Sequence, residues 1–140
     1  MAINPLKVLF VASEVEGLVK TGGLADVAKA LPQHLAREGH DVRIILPFYQ
    51  TLKRRDEARL LASRWLPTPQ GRDDISYRIY QLELDGICVY LLDCPAYFER
   101  PQLYAENNQA YPDNGERFAF LAAAALHACE QLNFAPDIVH

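Results

Sequence analysis

The stretch from Leu6 to Pro47 constrains the fold more than any other part of the chain. Leu6 to Ala12 reads Leu-Lys-Val-Leu-Phe-Val-Ala. It is short and almost wholly apolar, as a strand buried on both faces should be. Gly22 and Gly23 then punctuate the chain. Beyond them Leu24, Val27, Ala28, Leu31 and Leu35 recur at helical spacing, which predicts a helix with an apolar stripe. Gly39 stands where a helix-ending glycine belongs. Pro32 lies inside this helix and lacks a backbone donor, so a kink or break is expected there. Val42 to Leu46 reads as a second buried strand, ended by Pro47. Strand, glycine loop, helix, strand is the βαβ unit of a parallel sheet, with a right-handed crossover.

The remainder extends this unit. Lys53, Arg54, Arg55, Asp56, Glu57 and Arg59 form a charged run, read as a solvated helical face. Leu60 to Leu66 reads as a strand stopped by Pro67 and Pro69. Ile75 to Leu84 alternates roughly, through Tyr77, Ile79, Tyr80 and Leu82, and Asp85-Gly86 then turns the chain into Ile87 to Leu92. Asp-Gly between two strand-like runs predicts a hairpin. Residues 94 to 113 read as one long loop with Tyr97, Phe98, Tyr104 and Tyr111, broken by Pro95, Pro101 and Pro112. A loop of that length in a compact domain is functional or disordered. Asp113 or Asn114 is placed to cap a helix running to about Leu132, with Phe118, Leu121, Ala125 and Leu126 inward. Asp137 to His140 begins a further strand. The expected fold is α/β, a three-layer Rossmann-like domain with a mostly parallel sheet, Leu6–Ala12 central in it, and a β-hairpin. Ligand crevices of such sheets lie outside the carboxyl ends of the strands, so the next functional loop is expected just beyond His140.

Composition narrows the ligand. The formal net charge is −4, so no basic surface points to a nucleic-acid partner, whereas a neutral polymer such as a polysaccharide is compatible. Cys88, Cys94 and Cys129 are odd in number and show no C-x-x-C spacing, which argues against a disulfide framework and a zinc site. Free thiols in apolar runs fit a reducing cytoplasm. Met1 to Lys7 lacks the features of a signal peptide, and no stretch is long enough to span a membrane. No metal and no cofactor are expected.

The chemistry is concentrated in Lys20-Thr21-Gly22-Gly23-Leu24-Ala25-Asp26-Val27, between the first strand and the first helix. Paired glycines let a ligand approach the backbone, because no Cβ intervenes. The helix start offers unpaired N–H groups and a positive dipole end, and Lys20 adds a mobile positive charge. The combination suits a diphosphate or a sugar phosphate. The glycine pair is equally compatible with a plain tight turn from strand to helix. Two other patterns fail. Gly17 and Gly22 have the spacing of P-loop glycines, but Gly23-Leu24 stands where Lys-Ser/Thr is required, and the dinucleotide pattern G-x-G-x-x-G is absent.

The segment from Lys20 to Val27, following a strand that ends Ala12-Ser13-Glu14, resembles the amino-terminal signature of bacterial glycogen synthases and plant starch synthases. The resemblance continues through Ala30-Leu31-Pro32, Gly39-His40-Asp41-Val42, Leu46-Pro47, Leu92-Asp93-Cys94-Pro95 with Arg100-Pro101, and Tyr111-Pro112-Asp113-Asn114 with Arg117-Phe118. It ends in Pro136-Asp137-Ile138-Val139-His140. It implies the amino-terminal domain of a GT-B enzyme, in which two Rossmann-type domains face a cleft. It also implies retaining transfer of glucose from ADP-glucose, or UDP-glucose in some relatives, to the non-reducing end of an α-1,4-glucan such as glycogen, without a metal. By the same resemblance Lys20 contacts the sugar nucleotide, Gly22 and Gly23 give main-chain contacts near its phosphates, and Thr21 counts with them as substrate-binding. Asp26 either takes a sugar hydroxyl or complements the helix end.

The resemblance carries two departures. Phe98 stands where some members have a tyrosine, and Tyr97 precedes it by one place. The carboxyl-terminal nucleotide-binding domain lies outside the sequence, so residues 1–140 are expected to be an incomplete amino-terminal domain, inactive by itself. Asp93, His34, His40 and His127 have no partner at catalytic spacing, and no catalytic residue is assigned. A different class of reading is a stand-alone glucan-binding or regulatory module, in which aromatic residues of the 94 to 113 segment stack on sugar rings. Ordinary packing explains any single one of those aromatics equally well.

Overall fold

Residues 4–67 and 74–140 are described by the computed structural model. The opening apolar run forms β1 (Lys7–Val11), with Val8, Leu9 and Phe10 all buried. The chain crosses through α1 (Gly23–Arg37) into β2 (Asp41–Pro47), which pairs with β1 in parallel. Two long strands follow, β3 (Arg59–Leu66) and β4 (Ile75–Leu84), and then β5 (Ile87–Asp93). A short helix α2 (Pro95–Phe98) leads to a two-rung hairpin of β6 (Ala105–Glu106) and β7 (Gln109–Ala110). The long α3 (Asn114–Gln131) and β8 (Ile138–Val139) complete the order. Pro69, expected to help stop β3, lies outside the described residues.

The six-stranded sheet has the order β3-β4-β5-β2-β1-β8. Pairings from β5 through β2 and β1 to β8 are parallel, and those of β3 with β4 and β4 with β5 are antiparallel. β1 therefore has a neighbour on each side, but β5 and β2 occupy the middle. The Asp85-Gly86 turn closes the β4–β5 hairpin with both residues at positive φ, 49° and 82°. That geometry follows the right-handed twist of the flanking strands.

The two long helices cover opposite faces. Tyr77 and Leu84 project to different sides of β4 by parity. Tyr77 meets Phe120 of α3 edge-on, with ring centroids 5.7 Å apart, and its hydroxyl lies 2.6 Å from His127. Leu84 lies on the side of α1, beside Gly17. α1 ends in a Schellman motif: Gly39, at φ +98°, donates its N–H to Ala36, and His40 donates to Leu35.

Several expectations are corrected. α1 runs on through Pro32, whose burial with Ala25 and Ala28 offsets the missing donor. The contact face is also rotated: small alanines seat the helix on the sheet, and Leu24 and Val27 stay 52% and 53% exposed. The charged run forms only a single 3₁₀ turn at Arg55–Glu57, although it is largely solvated as read. Asp113 sits at the start of α3 without capping it, because its carboxylate is taken by Arg100 at 2.6 and 2.5 Å. Leu126 points outward, 55% exposed.

The 94 to 113 segment is an ordered layer, and a charged residue orders it. Arg117 of α3 is fully buried. It donates to the carbonyls of Tyr97 and Leu103 at 2.7 and 2.8 Å, and to Asn114 at 2.8 Å. Its guanidinium also lies against the rings of Phe98, Tyr111 and Phe118.

Candidate functional site

β1 delivers the chain to the carboxyl edge of the parallel strands. There residues 13 to 22 fold back on themselves. Val15 and Val19 form an antiparallel bridge around Gly17, whose φ of +92° suits glycine. Val15, Leu18 and Val19 are buried and anchor the loop from below. The loop then rises through Lys20 and Thr21 into the start of α1.

At its centre lies Glu14, a residue to which the sequence reading gave no role. It is 2% exposed, yet it accepts four hydrogen bonds. Thr21 gives its N–H at 3.0 Å and its hydroxyl at 2.7 Å, Gly22 its N–H at 2.9 Å and Tyr104 its hydroxyl at 2.6 Å. Burial alone would raise the Glu14 pKa. The hydrogen bonds from Tyr104, Thr21 and Gly22 outweigh burial and bring it down to about 2. Tyr104 is held in turn by Ser13 at 2.7 Å. Burial and the bond to Glu14 push the Tyr104 hydroxyl up to about 12, so it remains a donor. Two signals pointed to Glu14: its place at the end of a buried strand and the N–H-rich loop that follows. Tyr104 was read only as one aromatic of the 94 to 113 segment, and nothing in the sequence ties it to Glu14, 90 positions away.

The glycine pair now has a firmer reading. Gly22 has an extended backbone, φ −163°, which any residue adopts, and no positive φ marks Gly23. A Cβ built on either glycine meets nothing within 4 Å. Neither turn geometry nor packing therefore requires glycine at these two positions. What their missing side chains produce is an uncovered helix N-terminus. The Gly22 N–H is taken by Glu14, and the Gly23 and Leu24 N–H groups have no acceptor among the described residues.

Lys20, just before this opening in the chain, pairs with Asp26 in the first turn of α1. Their side chains are about half exposed, 46% and 47%, and the ammonium lies 2.6 Å from the carboxylate. The hydrogen bond raises the Lys20 pKa and lowers that of Asp26. Asp26 thus complements both the helix end and the lysine. Beside them is a pocket of about 450 Å³, lined by Leu18, Lys20, Thr21, Lys53, Leu103 and Tyr104 among others. The structure brings Lys20, Thr21, Gly22, Gly23 and Asp26 to one surface.

The groups left without a catalytic role have structural partners. Asp93 pairs with Arg78 at 2.9 Å, His127 with Tyr77, and the His40 ring accepts the Leu6 N–H at 3.0 Å. His34 lies 3.8 Å from Glu38. The described residues hold no cluster suited to a metal ion. They hold no helix long and apolar enough to cross a membrane. All three cysteines are free.

A family model described as the starch synthase catalytic domain matches residues 7–140. Glycogen synthases from Aeromonas salmonicida and Aeromonas hydrophila are each 83% identical over 140 residues, which is all of this chain and 29% of each relative. The glycogen synthase of Photobacterium profundum is 57% identical over 137 residues, 98% of this chain and 27% of that protein. Among solved structures, the catalytic domain of starch synthase IV from Arabidopsis thaliana, bound to ADP and acarbose, matches with a TM-score of 0.79 and 32% identity. That match covers 98% of this chain and 28% of the other. The chain spans less than a third of the length of these relatives.

Proposed function

The chain belongs to the starch synthase catalytic domain family, and from that premise we propose that it forms the donor-facing amino-terminal wall of a glycogen synthase. The reaction is retaining transfer of glucose from ADP-glucose to the non-reducing end of an α-1,4-glucan. The observation that carries this reading is the uncovered N-terminus of α1: the Gly23 and Leu24 N–H groups have no acceptor among the described residues, a Cβ at Gly22 or Gly23 would meet nothing within 4 Å, and Lys20, just before them in the chain, pairs with Asp26 of the first helical turn. When the glycosidic bond breaks, negative charge develops on the departing diphosphate. Fixed N–H groups, a helix dipole and a cation stabilise that charge most in the transition state. A diphosphate arriving here competes with Asp26 for Lys20, so the ammonium is already held near the place where it is needed. The solved relative, described as bound to ADP and acarbose, supports a nucleotide and a glucan as ligands. Three free thiols support a reducing compartment such as the cytoplasm.

The remaining wall of the cleft is proposed to come from a second domain; the relatives are more than three times as long. The functional test uses a synthase of full family length that carries these residues. With ADP-glucose and glycogen it is expected to incorporate glucose. Lys20→Gln is expected to lower kcat/KM for ADP-glucose by about ten- to a hundredfold at unchanged folding. Absence of transfer by the wild type overturns the reading. An unchanged kcat/KM in the variant removes Lys20 from it.

A further inference from the structure

Glu14 is an expensive way to hold a loop. A buried carboxylate is tolerated only when its lone pairs are satisfied, and an apolar residue at this place in the loop after β1 would pack without that demand. Here four donors from three residues converge on it, and two of them are consecutive backbone N–H groups of the glycine loop. These bonds decide which N–H groups face out. By taking those of Thr21 and Gly22, Glu14 turns the first backbone dipoles of the loop inward, and α1 begins with Gly23 and Leu24 uncovered. Tyr104 completes the arrangement from the far side. Its ring lines the pocket beside Lys20, and it belongs to the segment pinned by Arg117. A rigid layer therefore braces the loop.

We propose that Glu14 is a positioning residue for the donor site: with Tyr104 as its second support, it holds the Thr21–Gly22 backbone in the one arrangement that presents the Gly23 and Leu24 N–H groups and Lys20 to the donor phosphates. The proposal rests on the reading of the chain as the donor wall of a glucosyltransferase. Glu14 does not touch the donor. It acts through the loop, so its loss misplaces groups that remain present. A displacement of about 1 Å in a positioned group is enough to slow a reaction about a hundredfold.

The test compares wild type with Glu14→Gln, Glu14→Leu and Tyr104→Phe in the full-length synthase. It measures kcat, the KM for ADP-glucose, the KM for glycogen and the melting temperature. Gln keeps one oxygen for the two N–H groups, whereas Leu keeps none. The expected result is a graded fall in kcat/KM for ADP-glucose. It is about tenfold for Gln and about a hundredfold or more for Leu, with the KM for glycogen within about twofold of wild type. Tyr104→Phe removes one support and is expected to lower kcat/KM for ADP-glucose about three- to tenfold. A purely structural role predicts instead that remaining activity tracks the folded fraction, with no difference between donor and acceptor parameters. Equal donor parameters in folded wild type and variants overturn the proposal. If the Glu14 variants do not fold, Tyr104→Phe decides by the same criterion. Failure of the wild type to use ADP-glucose at all counts against the underlying reading and is seen separately.

Discussion

Glu14 makes an acid-side prediction, because its ionised form is held by hydrogen bonds rather than by a cation. Its pKa falls from an ordinary value of 4.5 to about 2 in the folded protein. A depressed folded value means that the contribution is fully present above the unfolded value. It is lost as pH falls from about 4.5 towards 2. The span corresponds to about 3 kcal/mol. In Glu14→Gln this contribution is absent at every pH. The stability gap between wild type and variant, measured by urea unfolding, is therefore expected to narrow by about that amount between about pH 6 and about pH 2. A constant gap across that range means that Glu14 is not held as described. Lys20 behaves differently. It is exposed, its partner Asp26 is exposed, and such pairs contribute little to stability, so its effect is expected in donor kinetics and not in melting.

At the scale of elements, the 94 to 113 segment depends on α3 through one side chain. Arg117 satisfies the carbonyls of Tyr97 and Leu103 and lies among three aromatic rings. Arg117→Met fills similar volume but leaves both carbonyls without their donor, and is expected to destabilise the protein by about 2–4 kcal/mol in chemical denaturation. A loss below about 0.5 kcal/mol would show that the segment is ordered by its aromatic packing alone. This element also shows where sequence was legible and where it was not. β1, β2, the β4–β5 hairpin and the ends of both long helices were readable, because period, turn chemistry and Gly39 act within a few residues, whereas the continuity of α1 through Pro32 was not. The stripe on α1 was misplaced by about one position: Ala28 is buried as read, but Ala25 and Pro32 are buried with it while Leu24 and Val27 stay exposed, because small or compact residues win the close contact and an apolar count favours the larger ones. The Lys20–Gly23 loop was readable as a motif. Its support by Glu14, Tyr104 and Arg117 was not, because it joins residues about ninety positions apart, and a charged residue in an α-helix reads as solvent-facing until its partners are known.

At the scale of the whole molecule, the proposed function makes the described fold one wall of a cleft. The uncovered end of α1, the Lys20–Asp26 pair and the adjoining pocket lie on one edge of a mixed sheet braced from behind. The relatives are more than three times longer, and the account assigns the opposite wall of the donor site to that additional length. Positioning of donor against acceptor needs both walls. The most direct measurement follows transfer of labelled glucose from ADP-glucose to glycogen by the full-length synthase and by residues 1–140 alone, at equal molar concentration and with folding of each verified. The account predicts sustained incorporation by the full-length protein and none above background by the 140-residue chain. Sustained incorporation by the 140 residues alone, or none by the full-length protein, would contradict it.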